Sequence, residues 1–216
     1  MKTKLFLTLG LTLATSFAFS QSLMRDGAGK QILSTGAAKE SLGSPYLNKS
    51  FVKSQVVTVS DKKMDIEALR YNVLTQDVEY QDRVATYAVQ DSLKSFTLPD
   101  SSGKVLTFVR KKVNNENGFY EVVVPGKIEL LKRYTAKPET STDWYTKKEV
   151  KAIKQQATYY ASKDGKIEKV GTSAKSLLTL FADKKGAVAT YIKEQSPDLK
   201  TETGLADVFK IYNAAN

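Results

Sequence analysis

The sequence predicts an α+β fold, a curved antiparallel β-meander sheet followed by a short helical C-terminal cap. Three observations carry this expectation. From about residue 44 to 171, β-branched and aromatic residues alternate with polar ones, which is the period-two pattern of strands. Short turn sequences punctuate these runs, so successive strands can fold back on one another. After Thr172 the apolar residues switch to the i, i+3, i+4, i+7 spacing of amphipathic helices.

The chain opens with a secretory signature. Lys2 and Lys4 precede an apolar run from Leu5 to Phe19, and Ala18-Phe19-Ser20 places small residues where a signal peptidase reads them. Residues 1–20 are therefore expected to be a signal peptide cleaved before Gln21. The apolar run is shorter than the ~20 residues a bilayer-spanning helix needs, and no later run of that length follows. A lipoprotein needs Cys at the cleavage site, and the chain has none. Residues 21–43, rich in Gly, Ala, Ser and Lys, read as a flexible N-terminal arm.

Ser44-Pro45-Tyr46 opens the sheet body, residues 44–171. Val56-Val57-Thr58-Val59 is a strand by composition. Leu69, Tyr71 and Val73 alternate with Arg70 and Asn72, and Val105, Thr107 and Val109 alternate with Leu106, Phe108 and Arg110. Phe119 to Val124 and Ile128 to Leu131 continue the series. The connecting turns are Asp100-Ser101-Ser102-Gly103, Asn114 to Gly118, Pro125-Gly126 and Asp164-Gly165. About eight to ten strands result. Ala136 to Thr146, holding Pro138 and Trp144, reads as an irregular loop with the Trp anchored on the body. All five prolines are expected at element boundaries. In the C-terminal segment, 172–216, three helices follow, one around Ala174, Leu177, Leu178 and Phe181, one around Val188, Tyr191 and Ile192, and one around Leu205, Val208, Phe209 and Tyr212. Ser173 and Asp183 are the expected caps, and Pro197 parts the second helix from the third. Helices this short need the sheet to pack on.

Composition restricts the chemistry. With 33 Lys and Arg against 23 Asp and Glu, the net charge is +10. Such a charge suits anionic neighbours. The basic pairs and triplets at Arg110-Lys111-Lys112, Lys132-Arg133, Lys147-Lys148 and Lys184-Lys185 are short and read as solvated faces. His and Cys are both absent. That removes Ser-His-Asp and Cys-His catalysis, ordinary zinc sites and haem ligation through His or Cys. No phosphate loop, dinucleotide fingerprint or calcium loop is present, so no cofactor is expected. Carboxylate chemistry and Ser-Lys catalysis are left, the first with Asp77, Glu79 and Asp82 close together in sequence, the second with no distinctive Ser and Lys pair. Candidate interaction residues are Arg70, Tyr71, Asn72 and Trp144. Arg70 and Asn72 share one strand face and could bind a partner or secure a neighbouring loop. Tyr159-Tyr160 should send one ring to each face of its strand.

Gly43-Ser44-Pro45-Tyr46-Leu47, Phe51 and Leu69-Arg70-Tyr71-Asn72 form a set of short motifs. Phe119-Tyr120-Glu121-Val122, Leu130-Leu131-Lys132-Arg133-Tyr134 and Lys175 to Phe181 with Asp183-Lys184-Lys185 extend it, and Tyr212-Asn213 ends it. In this set the chain resembles a family of secreted proteins from the Bacteroidota. The resemblance implies a compartment and a lineage, and it carries over no activity and no catalytic residue. The expected function is accordingly an exported, non-catalytic protein of the bacterial envelope or secretome, periplasmic or secreted, that acts by binding. An envelope protein, a glycan or a lipid is the expected partner, and nucleic acid is not. Two alternatives stand beside it. One is a carrier of lipid or another apolar ligand, and the other is a carboxylate-based glycan or peptide hydrolase.

Overall fold

The computed structural model describes residues 43–83, 85–89, 93–142 and 144–215. The expected signal peptide and nearly all of the expected arm lie outside them. The described chain forms ten strands and three short α-helices. The strands are β1 (Val52–Thr58), β2 (Lys63–Asn72), β3 (Asp77–Asp82), β4 (Ala85–Val89), β5 (Leu93–Pro99), β6 (Val105–Val113), β7 (Glu116–Val124), β8 (Ile128–Thr142), β9 (Glu149–Lys163) and β10 (Lys166–Lys169). The helices are α1 (Ala174–Leu180), α2 (Lys185–Gln195) and α3 (Glu202–Ala214). No helix among the described residues is long and apolar enough to cross a membrane.

All ten strands join one sheet in the order β10-β9-β8-β7-β6-β5-β1-β2-β3-β4, with every pairing antiparallel. The meander is therefore interrupted once. β4 does not hand on to β5 as a neighbour; β5 pairs with β1 instead. Local turn chemistry joins consecutive strands, and nothing local in the chain announces a return to the first one.

Turn geometry follows residue type where the turns are tight. Asp164 and Gly165 take φ of 51° and 79°, the left-handed pair of a two-residue hairpin. Asp100 Oδ1 accepts the backbone N–H of Ser102 and of Lys104, which closes the β5–β6 turn. Asn114 and Asn115, with φ of 49° and 67°, make the β6–β7 turn by themselves. Gly118, expected in that turn, lies within β7, where a Cβ would come within 3.3 Å of the Arg133 guanidinium.

The segment Ala136 to Thr146 departs most from expectation. Ala136–Thr142 is not a loop but the outer half of β8, paired residue for residue with β9 down to Thr142 opposite Glu149. Pro138 consequently sits inside a strand, opposite Ile153. From Arg133 outward the pairing of β8 is with β9, so the missing N–H of Pro138 breaks no second ladder.

Two apolar clusters fill the interior. In the first, Leu177, Phe181, Val188, Leu205, Phe209 and Tyr212 from the helices meet Val124, Ile128, Leu130 and Ala161 of β7, β8 and β9. Ser173 Oγ caps α1 through the N–H of Ser176, and Thr201 Oγ1 caps α3 through the N–H of Gly204. Asp183 is not a cap. It lies in the 3-10 turn Ala182–Lys184, and its carboxylate instead accepts from Lys163 Nζ and the Tyr212 hydroxyl. In the second cluster Tyr71, Phe96, Phe108 and Phe119 pack ring on ring, with Phe96 and Phe108 stacked at 4.8 Å. Each buried ring of this kind contributes about 1.5–3 kcal/mol by leaving water.

Candidate binding cleft

Three of the four residues singled out from sequence are bound into the fold. Arg70 Nη2 pairs with Glu79 Oε2 at 2.7 Å, and its guanidinium lies 3.4 Å from the Tyr46 ring centroid and 4.2 Å from that of Phe51. Asn72 Nδ2 donates to the other oxygen of Glu79, while Asn72 Oδ1 accepts the N–H of Leu74 and of Thr75. Tyr71 is buried, and its hydroxyl donates to Gln76 at 2.9 Å. The cluster secures the β2–β3 turn and the segment before β1, so Arg70, Tyr71 and Asn72 hold a loop in place. Glu79 is 1% exposed and engaged at both oxygens, and Asp82 stands exposed at the end of β3.

Trp144 corrects the expectation of an anchor. It is 80% exposed and touches Tyr145, itself 78% exposed, edge-on at 5.7 Å. The full-length pairing of β8 with β9 carries it away from the body.

Chemistry-bearing side chains converge elsewhere. Strand register sets Phe108, Glu121, Lys132 and Tyr159 side by side across β6, β7, β8 and β9. On β8, Leu130, Lys132 and Tyr134 follow at every second residue and share a face. Leu130 belongs to the first apolar cluster and Tyr134 packs on the second, so Lys132 falls on the seam between them. The same holds on β7, where Glu121 separates Phe119 of one cluster from Val124 of the other. At this seam a cleft of about 580 Å³ opens. Glu121, Lys132 and Tyr134 form its base, Glu202 comes from the first turn of α3, and Asn48 to Ser50 on one side and Asp100, Ser101 and Lys104 on the other make its walls. Asn48 Nδ2, donating to the Pro99 carbonyl at 2.7 Å, ties the two walls together.

The polar groups of the cleft are coupled in two sets. The Tyr134 hydroxyl donates to Glu121 Oε2 at 2.6 Å. Lys132 Nζ and the Tyr159 hydroxyl both donate to Glu202 Oε2, at 2.7 and 3.0 Å. Burial raises the Tyr134 hydroxyl far above its ordinary pKa, and the Glu121 carboxylate adds to the effect. Burial and the Glu202 carboxylate do the same to Tyr159. Both hydroxyls thus stay protonated donors at any physiological pH. Burial by itself would raise Glu202, but the hydrogen bonds from Lys132 and Tyr159 and the Lys132 charge outweigh it and hold the carboxyl below its usual range. Glu121 is only 3% exposed as a residue, yet it borders open space. A carboxylate can accept about four hydrogen bonds, so these groups retain acceptor capacity toward a ligand.

None of Asp77, Glu79 and Asp82 lines this cleft. Glu121, Glu202, Lys132, Tyr134 and Tyr159 escaped sequence reasoning as a set, and the pair Lys132-Arg133, read as a solvated face, puts its lysine in the cleft. One signal was available: Glu121 is a charge within the apolar run Phe119 to Val124. Tyr159-Tyr160 does divide between faces, Tyr159 toward Glu202 and Tyr160 edge-on to Tyr120 at 5.4 Å. Among the described residues no group of three or more Asp or Glu could hold a metal ion. Comparison with family models, curated proteins and solved structures finds no match to this chain.

Proposed function

We propose that the chain is an exported, non-catalytic protein of the bacterial envelope or secretome, and that it acts by binding a small, hydroxyl-rich ligand in the cleft. Export rests on the leader signature of residues 1–20 and on the resemblance to secreted Bacteroidota proteins. The sheet is read as curved, with α1 to α3 as its cap. Supporting this, Gln76 Nε2 on the β2–β3 turn donates to the Tyr134 carbonyl on β8, although β2 and β8 stand far apart in the strand order. The helices meanwhile bury their apolar stripes on β7, β8 and β9.

One observation carries the binding role. The Glu121 carboxylate, with a neutral tyrosine hydroxyl as its donor, borders a polar cleft of about 580 Å³. Lys49, Lys104 and Lys132 balance Asp100, Glu121 and Glu202 around it. A neutral ligand rich in hydroxyl donors, such as a sugar unit, matches that set better than an ion does. The apolar interiors are filled by the chain's own rings, which favours this cleft over a lipid cavity. Glu202, held ionised, suits hydrogen-bond acceptance better than the acid role of a glycosidase.

Calorimetric titration with a panel of neutral mono- and oligosaccharides tests the reading. Saturable binding to at least one of them is expected, weakened about tenfold by Glu121→Gln, with no new reducing ends released. No binding across the panel, or binding indifferent to both Glu121→Gln and Glu202→Gln, would overturn it.

A further inference from the structure

We propose that the tip of the β8–β9 hairpin docks on an anionic bilayer surface through Trp144 and Tyr145, with Lys147 and Lys148 beside them. This inference stands on its own observations and does not require the cleft to bind sugar. Single exposed apolar residues are ordinary on protein surfaces. This case differs in three ways. Among the described residues the two most exposed large apolar side chains are adjacent, at 80% and 78%, and one is the single Trp of the chain. They stand at the end of a two-stranded ribbon whose residues 137–142 and 144–149 are all exposed. The surrounding charge is positive, with five lysines against three acids from residue 137 to 154, and Lys154 already engaged by Glu139 at 3.5 Å.

Trp and Tyr are the side chains that settle at the level of lipid head groups, because each joins a large apolar ring to one polar hydrogen-bonding group. Lysines placed next to such rings add attraction to acidic lipids without entering the hydrocarbon. A neutral glycan would leave these lysines unused. The edge-on packing of Trp144 against Tyr145, at 67° between ring planes, also makes no flat platform for a sugar. An anionic bilayer uses both the rings and the charges.

The lone Trp supplies the readout. Emission of the purified exported chain is followed on adding vesicles of phosphatidylglycerol with phosphatidylethanolamine, and separately vesicles of phosphatidylcholine alone. A blue shift is expected with the first and not with the second, reversed by high salt. Trp144→Ala, followed by vesicle sedimentation, should lower partitioning about tenfold, and Lys147→Gln with Lys148→Gln by a similar factor. All these positions are exposed, so circular dichroism should stay unchanged. No shift on anionic vesicles at low salt would overturn the proposal, as would an equal shift on phosphatidylcholine. A shift produced by a soluble glycan or an envelope protein without lipid would also overturn it. Sugar titrations on the Trp144→Ala protein should be normal, so failure at the tip and failure at the cleft are separable.

Discussion

Two glutamates on well-separated strands of the sheet are almost equally buried and accept from different donors. Glu79, on β3, is 1% exposed and accepts from the Arg70 guanidinium and from Asn72. Glu121, on β7, is 3% exposed and accepts from the Tyr134 hydroxyl beside an open cleft. A carboxylate under a cation has its charge balanced and both oxygens engaged, which describes a structural part. A carboxyl that accepts from a single neutral hydroxyl beside open space keeps part of its acceptor capacity, which suits the proposed binding surface. Burial alone does not separate the two roles; the identity of the partner does.

The sharpest way to break the comparison is to remove the balanced acid. Glu79→Ala leaves the Arg70 guanidinium without its counter-charge and Asn72 without an acceptor. The expected loss is about 3 kcal/mol in denaturant unfolding, with sugar binding by the folded fraction unchanged. Tyr134→Phe comes next. It deprives Glu121 of its donor, and the cleft admits water to take its place, so about 1 kcal/mol is expected together with weakened ligand binding. Glu121→Gln should move stability by less than about 1 kcal/mol while lowering ligand affinity about tenfold. Should Glu121→Gln unfold the protein as readily as Glu79→Ala does, the distinction between the two sites is lost.

The sequence made one of these regions easier to read than the other. Arg70-Tyr71-Asn72 is compact along the chain, so period two puts Arg70 and Asn72 on one face of their strand, and their partner Glu79 arrives one hairpin later. The hairpin at Asp164-Gly165 and the apolar stripe of α3 were legible for the same local reason. The cleft depends on register across four strands and on the first turn of a helix some 70 residues beyond Lys132. No local pattern encodes that meeting. The β8–β9 ribbon misled for a related reason. Its hydroxyl residues and Pro138 have loop composition, and only the partner strand, complementary through fifteen residues, makes them a strand. Trp144 was then expected to bury itself, but an end so far along the ribbon offers no apolar surface to cover it.

A subtler contrast tests whether partner chemistry or exposure governs these acids. Glu202 and Asp183 each receive a tyrosine hydroxyl and a lysine ammonium on one oxygen. Glu202 is half-buried and Asp183 exposed. Hydrogen bonds from Tyr212 and Lys163 hold Asp183 down to about 2, from an ordinary 3.8. A carboxyl lowered by folding stabilises the protein above its unfolded value, and that contribution is lost as pH falls through the folded one. Wild-type stability against unfolding should therefore fall progressively from about pH 4 toward pH 2, and Asp183→Asn should flatten this part of the profile. Glu202 is lowered from an ordinary 4.5, so Glu202→Gln should flatten the profile from a slightly higher pH downward. The expected changes are small and are read as slopes in acid titrations of stability. Equal flattening in both variants would mean that the hydroxyl–ammonium pair sets the behaviour; flattening by Glu202→Gln alone would hand the deciding part to burial, and the contrast between Glu79 and Glu121 would need to be recast in those terms.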